Sequence, residues 1–232
     1  MMQPRRPANL NEYAQACLNA LASNSYGERL SLGGAFGLAH YFEYRTTHDI
    51  DAWWVEPGTD EERRQIVHIL EEALRPFGQV RTRSWGDVVS VELSQQNKTV
   101  FSFQIARRSA QLRELLPAPW PGGIKVDTFD DLVASKMTAL VERGAPRDFR
   151  DIYTLCERGL CDVDRCWILW QERQIKSGEE ADMRRALLAI RTHLARIEQT
   201  RPVAGISDVV QRSAAERLRT WFIEEFLHDI FD

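Results

Sequence analysis

Leu30-Ser31-Leu32-Gly33-Gly34-Ala35, followed after a helical stretch by Arg45-Thr46-Thr47-His48-Asp49-Ile50-Asp51, is the segment whose reading decides the fold. Arg29 to Leu32 reads as a short strand, and Gly33-Gly34 leads directly into a helix expected from Ala35 to Glu43. A strand ending in two glycines at a helix start presents backbone N–H groups with no side chain in front of them. Together with the helix dipole, these can cradle a phosphate. The next strand is expected from Ile50 to Val55. Asp49 and Asp51, two residues apart at its start, then share one face while Ile50 turns to the core. Two neighbouring carboxylates repel each other unless a cation sits between them, and one or two carboxylates plus substrate phosphates is the usual protein arrangement for Mg²⁺. The aspartates are therefore a candidate metal site and the glycines a candidate phosphate site.

Outward from this segment, residues 9 to 22 read as a helix. Thr59 opens another, with Glu62 as its capping-box partner and Ile66, Leu70, Leu74 and Phe77 recurring down one face until Pro76 and Gly78 stop it. Three strands are expected at Gln79 to Arg83, Val88 to Leu93 and Thr99 to Ile105, with turns at Trp85-Gly86-Asp87 and Gln95-Gln96-Asn97. After Pro117, Pro119, Pro121 and the Gly122-Gly123 break comes a short Ile124-Lys125-Val126 strand. Thr128 then caps a helix running through Lys136 to Arg143, and nearly everything from Pro146 onward is helical. This order predicts an α+β (mixed α/β) chain, with a sheet domain over residues 1–122 and a helical domain over 123–232.

Composition bounds the rest. With 232 residues, 44% of them hydrophobic, the chain can bury one substantial core, or one core plus a smaller helical domain. The polar residues soon after Met1 do not read as a signal peptide, and no apolar run is long enough for a bilayer; a soluble, cytoplasmic protein with no membrane partner is expected. Cys17, Cys156, Cys161 and Cys166 include no Cys-x-x-Cys pair. The last three recur every five residues, a period that matches neither a helix face nor a zinc site, so free and mostly core thiols are expected. A formal charge of −4 excludes a protein that coats nucleic acid by bulk electrostatics, leaving local patches: Arg81 and Arg83; Arg107, Arg108 and Arg113; Arg143, Arg147 and Arg150.

A second stretch carries chemistry. In Lys136-Met137-Thr138-Ala139-Leu140, the lysine lies at the edge of a stripe made by Val133, Met137 and Leu140, so its stem can pack while its ammonium reaches a cleft. In Arg147-Asp148-Phe149-Arg150-Asp151-Ile152-Tyr153, Asp148 and Asp151 are neighbours on one helix face, while Phe149, Ile152 and Leu155 can pack. Taken with Gly33-Gly34 and Asp49-Ile50-Asp51, these motifs resemble the polymerase-β-like nucleotidyltransferases, specifically the AbiEii/AbiGii toxin-like branch that includes the mycobacterial MenT group. The resemblance spans residues 29 to 156.

It implies a nucleotidyltransferase-like sheet domain followed by a helical domain. The implied activity moves a nucleoside monophosphate from an NTP to an acceptor hydroxyl, with the 3′ end of tRNA as acceptor, Mg²⁺ (or Mn²⁺) as metal, a separately encoded antitoxin as partner, and a setting of phage defence or growth control. Asp49 and Asp51 would hold the metal; Gly33, Gly34, Arg45, Lys136 and Arg147 would contact the nucleotide; Asp148 or Asp151 would serve the acceptor hydroxyl. Two departures stand out. Ala35 replaces the Ser or Thr many relatives carry, so a hydroxyl contact to phosphate is missing or falls to Ser31. Phe101-Ser102-Phe103-Gln104-Ile105 also lacks a third strand carboxylate, although Glu92 lies on the preceding strand. A protein or small-molecule acceptor, or a non-catalytic nucleotide-binding or interaction module, are the rival readings. His48 adjoins Asp49 and can hydrogen-bond near the site, and of Trp53-Trp54 one ring is expected in the core and the other free to stack on a base.

Overall fold

Strand β1 (Leu30–Gly33) is an interior strand of a seven-stranded mixed sheet in the computed structural model, which describes residues 2–228. Its antiparallel neighbour is β2 (Asp49–Trp54), and on the other side it runs parallel to β7 (Lys125–Val126). Beyond β2 come β5 (Lys98–Ala106), β4 (Val88–Gln95) and β3 (Gln79–Trp85), and β6 (Leu116–Pro117) closes the opposite edge. The β3–β4 hairpin turns at Gly86 (φ 53°), and the β4–β5 hairpin turns through Gln96 and Asn97, both in the left-handed region (φ 50° and 61°), as a two-residue hairpin requires.

Helices α1 (Glu12–Ser23) and α3 (Asp60–Leu74) cover one face of this sheet. Their apolar residues, among them Leu18, Leu21, Ile66 and Leu70, pack with Leu32, Ile50, Val91, Phe101 and Phe103 in one buried core. Caps fix where the helices begin: Asn11 accepts from Ala14 N–H at 2.7 Å, and Thr59 and Glu62 form the reciprocal capping box their spacing predicts.

Helix α2 spans Gly34–Ala39, four residues shorter at its end than expected, because the following residues are tied elsewhere. Tyr41 donates its hydroxyl to the Asp127 carbonyl at 2.8 Å, and the Glu43 carboxylate accepts from Ala8 and Asn9 N–H. At the helix end the His40 ring is buried between two partners: Nδ1 is 2.9 Å from the Phe36 carbonyl and Nε2 accepts from Trp120 Nε1 at 2.8 Å. This arrangement holds the neutral ring with its proton on Nδ1, and burial lowers its pKa to about 4. Because the folded pKa lies below the unfolded value of 6.5, the stabilisation is complete above pH 6.5 and is lost as pH falls toward 4. That shift corresponds to about 3 kcal/mol. Chemical denaturation followed by tryptophan fluorescence is expected to show this loss, and His40→Gln, which keeps an acceptor for Trp120 without titrating, is expected to flatten it.

The chain divides into two compact units between Leu132 and Val133. The boundary lies past the expected 122 because the short β7 strand belongs to the sheet and the Asp131 carboxylate accepts from Leu112 and Arg113 N–H, tying the first turn of the next helix to the first unit. Helix α4 (Phe129–Glu142) crosses this division. The second unit continues through α5 (Pro146–Glu157), α6 (Val163–Ser177), α7 (Met183–Thr200) and α8 (Val209–Trp221), which ends in a π-helical turn at Phe222–Phe226. Phe149 of α5 meets Phe222 edge to face at 4.8 Å, and Trp167 and Phe226 lie 5.3 Å apart in the same aromatic core. No helix is long and apolar enough to cross a membrane among the described residues.

Candidate active site

β2 sets the geometry of the first unit's site. Ile50 and Ala52 are buried on the helix-covered face, so strand alternation turns Asp49, Asp51 and Trp53 to the opposite face. The register sets Asp51 beside Gly33 of β1 and Gln104 of β5, and sets Asp49 beside Ser102, whose hydroxyl donates to Asp49 Oδ1 at 2.8 Å. Gly34 has φ 58°, and a Cβ at that position would run into the Asp51 carboxylate. A Cβ on Gly33 would run into the Trp53 indole. Both glycines therefore permit a close approach as well as baring the backbone, and the Asp51 carboxylate lies directly against the turn. With only six residues, α2 aligns few peptide dipoles, so a phosphate here would rest on the Gly33-Gly34 backbone more than on a helix dipole.

Behind this turn is a buried polar cluster that the sequence reading missed. Asp127, just past β7, accepts from Arg108 Nη1 at 3.0 Å, from Arg108 Nη2 at 2.5 Å and from Trp53 Nε1 at 3.0 Å. Arg108 Nη2 also donates to Ser31 Oγ at 2.5 Å. Burial pushes the Asp127 carboxyl up while the Arg108 guanidinium draws it back down. Three expectations change as a result. Ser31 is fully buried and bound to Arg108, so it offers no hydroxyl to a phosphate. Arg108 is an internal ion-pair partner, not a member of a phosphate-binding patch. Both rings of Trp53-Trp54 are held by the protein: Trp53 by Asp127, and Trp54 against the core with the Arg63 guanidinium 5.8 Å from its centre. The signal available in the sequence was a lone Asp at the end of a short apolar strand, which has no pattern of its own.

The position of a third carboxylate is taken by Ser102 and Gln104 of β5. Glu92 of β4 stands across from Ser102 and is 3.3 Å from Arg83, so a row Asp49, Ser102, Glu92 crosses the open face. Arg45 is half-buried in the loop before β2, its guanidinium 5.8 Å from the Tyr44 ring, and His48 is exposed. A groove of about 870 Å³ between α3 and the β3–β4 hairpin, lined by Trp54, Arg64, Thr82 and Val89 among others, includes neither aspartate nor either glycine.

In the second unit, Lys136 Nζ lies 2.6 Å from Asp151 Oδ2, with side chains 11% and 0% exposed. The pair is thus a buried partnership. Asp148 accepts from Arg143 Nε at 2.9 Å, Arg143 Nη2 at 2.6 Å and Ala145 N–H at 2.9 Å. Arg143 therefore braces Asp148, whereas Arg147 is exposed. The reason is the turn at Gly144 (φ 54°), which folds the end of α4 back toward the start of α5. Asp148 closes the N-terminus of α5, and Asp148→Ala is expected to lower unfolding stability by about 2 kcal/mol in denaturant titration, because it strips the cap from the part-buried Ala145 N–H and removes the partner of Arg143.

A mixed sheet with strand, Gly-Gly turn, short helix and a strand bearing Asp-x-Asp, followed by a helical region, is the architecture of a nucleotidyltransferase. Two crystal structures from Helicobacter pylori are similar to the chain, and the first of them shares its fold. One, of a candidate nucleotidyltransferase, has a TM-score of 0.51 at 15% identity over 94% of this chain and 97% of that one. The other, of JHP933, has a TM-score of 0.49 at 14% identity over 94% and 95%. No curated protein matches the chain. The model of the family described as nucleotidyl transferase AbiEii toxin, type IV TA system, matches residues 16–201. The chain belongs to this AbiEii nucleotidyltransferase toxin family.

Proposed function

We propose that the chain is a metal-dependent nucleotidyltransferase that moves a nucleoside monophosphate from an NTP to an acceptor hydroxyl, with the 3′ end of tRNA as acceptor. It would act as the toxin partner of a separately encoded antitoxin, in phage defence or growth control. The observation that carries the reading is the pair Asp49 and Asp51 on one face of β2, with the Asp51 carboxylate against the Gly34 backbone. Membership of the AbiEii family supports the reaction class.

Mg²⁺ fits these residues. The donors are hard carboxylate oxygens from Asp49 and Asp51 next to the Gly33-Gly34 turn. Asp49 and Asp51 would hold the ion, with Ser102 orienting Asp49. When bound, the metal supplies Lewis-acid stabilisation of the charge on the transferred phosphate. The Gly33 and Gly34 amides orient the NTP phosphates, and Arg45 lies in the loop that leads into β2. For Lys136 and Asp151 the reading rests on the motif they carry. Lys136 neutralises negative charge on the leaving pyrophosphate, and Asp151, 2.6 Å away, orients that ammonium. Asp148 or Asp151 would accept the proton of the acceptor hydroxyl, each on giving up a partner it holds here: the start of α5 for Asp148, the Lys136 ammonium for Asp151.

For the tRNA acceptor, the charges to test are Arg107, Arg147 and Arg150, all exposed, instead of Arg108 and Arg143, whose loss would break internal pairs. Binding of tRNA measured between low and physiological salt is expected to weaken steeply for wild type. The Arg147→Ala/Arg150→Ala variant is expected to lose between roughly one and two units of log-log slope. Salt-independent binding, or NTP turnover without tRNA binding, would point to a protein or small-molecule acceptor.

A further inference from the structure

Three of the four cysteines meet at one corner of the second unit. Cys156 is in the last turn of α5, Cys161 in the connecting loop and Cys166 near the start of α6. The Cys166 Sγ lies 3.5 Å from Cys161 Sγ and 3.9 Å from Cys156 Sγ. The five-residue spacing concealed this because it does not run along one helix. Instead α5 ends at Glu157, the chain turns through Gly159 (φ 64°), and α6 begins at Val163, so the three positions lie around a helix–loop–helix corner. Cys161 and Cys166 are buried, whereas Cys156 is partly exposed, so one thiol is open to a solute and two stand behind it. The trio is not arranged as a metal-holding group.

We infer that this corner is a reversible oxidation site, at which a hydroperoxide oxidises Cys156 and Cys166 resolves the product to a disulfide. In the first step the Cys156 thiolate attacks one peroxide oxygen and the O–O bond breaks. The sulfur becomes a sulfenic acid, and the other oxygen leaves as water with the proton the thiol gave up. In the second, Cys166 sulfur displaces the hydroxyl from Cys156. The S–O bond breaks as the S–S bond forms, and the Cys166 proton leaves with the hydroxyl as a second water. Two thiols and one hydrogen peroxide thus give one disulfide and two waters. Cys161 can then attack Cys166 and release the Cys156 thiol, moving the bond to the two buried positions without further oxidant.

Hydrogen bonds with Cys156 and then Cys161, with burial added, push the Cys166 thiol up, while the partly exposed Cys156 is the thiol a solute reaches first. Cys17 gives an internal contrast. It is fully buried in the first unit with its thiol pushed up by burial, and it is expected to stay reduced. Because α5 also carries Asp148 and Asp151, the bond would tie the last turn of that helix to its neighbour.

The test treats the full chain with hydrogen peroxide, then counts free thiols under denaturing conditions and maps them by mass spectrometry. The expected result is a fall from four thiols to two, a mass loss of two hydrogens, Cys166 in the disulfide, and full reversal by dithiothreitol. Cys166→Ser is expected to yield no disulfide and to accumulate a Cys156 sulfenic acid that dimedone traps. Should that variant not fold, Cys156→Ser is expected to protect the remaining cysteines from the same dose. Wild-type protein that keeps all its thiols, that carries Cys156 straight to sulfinic acid with no disulfide, or that loses Cys17 as fast as the cluster would overturn the inference.

Discussion

Asp51→Ala is expected to lower nucleotidyl transfer by about a thousandfold or more, because a metal held at this position contributes several kcal/mol of charge stabilisation in the transition state. The fold should survive. Asp51 is half-buried on the open face of β2 and lies over Gly34, so shortening it relieves repulsion with Asp49 and opens no apolar cavity. Asp49→Ala is expected to lose activity in the same way, at the structural cost of the 2.8 Å bond from Ser102. Ser102→Ala serves as the contrast: it removes that bond while leaving both carboxylates, and only a modest rate effect is expected. Transfer of label from NTP, read beside a thermal melt of each variant, checks all three. An Asp51→Ala protein that melts normally and transfers at the wild-type rate would remove the metal assignment.

Lys136→Ala is expected to have two separate effects. Removing the ammonium leaves Asp151 buried without the partner 2.6 Å away, which is expected to lower stability by about 3–5 kcal/mol, as for other buried ion pairs broken on one side. It is also expected to slow transfer, since charge on the leaving pyrophosphate loses its counter-ion. A single variant confounds these, so the discriminating protein is Lys136→Met/Asp151→Leu. Replacing both partners with apolar groups is expected to restore most of the lost stability, while transfer stays depressed. Denaturant unfolding and single-turnover transfer distinguish the cases. Recovery of both stability and rate in the double variant would make the pair structural. Lys136→Arg is expected to recover only part of the rate, because a planar guanidinium does not reproduce a point charge at that reach.

The legibility of the chain follows the range of the forces involved. Helix α3 could be read from Thr59, Glu62 and the Ile66, Leu70, Leu74 stripe because capping and amphipathicity act within a few residues. The Gln96-Asn97 turn and the alternation around Ile50 are local in the same sense, and they put the aspartates on a common strand face. What could not be read are the partners that only tertiary structure brings together. Arg108 looked like a surface cation beside Arg107 until Asp127, nineteen residues on, took it up with Ser31 and Trp53. For Asp148 the sequence shows only its helix-face neighbour Asp151, whereas a left-handed glycine delivers Arg143 to it. The three cysteines failed the test of a single helix period because they belong to three different elements around a corner. The end of α2 was overestimated for the same reason, since Tyr41 and Glu43 are held by distant backbone rather than by the helix.

On the proposed function, Asp49, Asp51 and the Gly33-Gly34 turn form a site where a divalent metal and an NTP are used to modify an acceptor hydroxyl. Its most direct test incubates the purified chain with total cellular RNA and each of the four α-labelled NTPs, with and without Mg²⁺, and resolves the products by electrophoresis and nuclease mapping. The account predicts label from at least one NTP at the 3′ end of tRNA, dependent on Mg²⁺ and absent with Asp51→Ala. Labelling that persists without divalent metal or with Asp51→Ala, or no transfer to any RNA, protein or small molecule from any NTP, would contradict it.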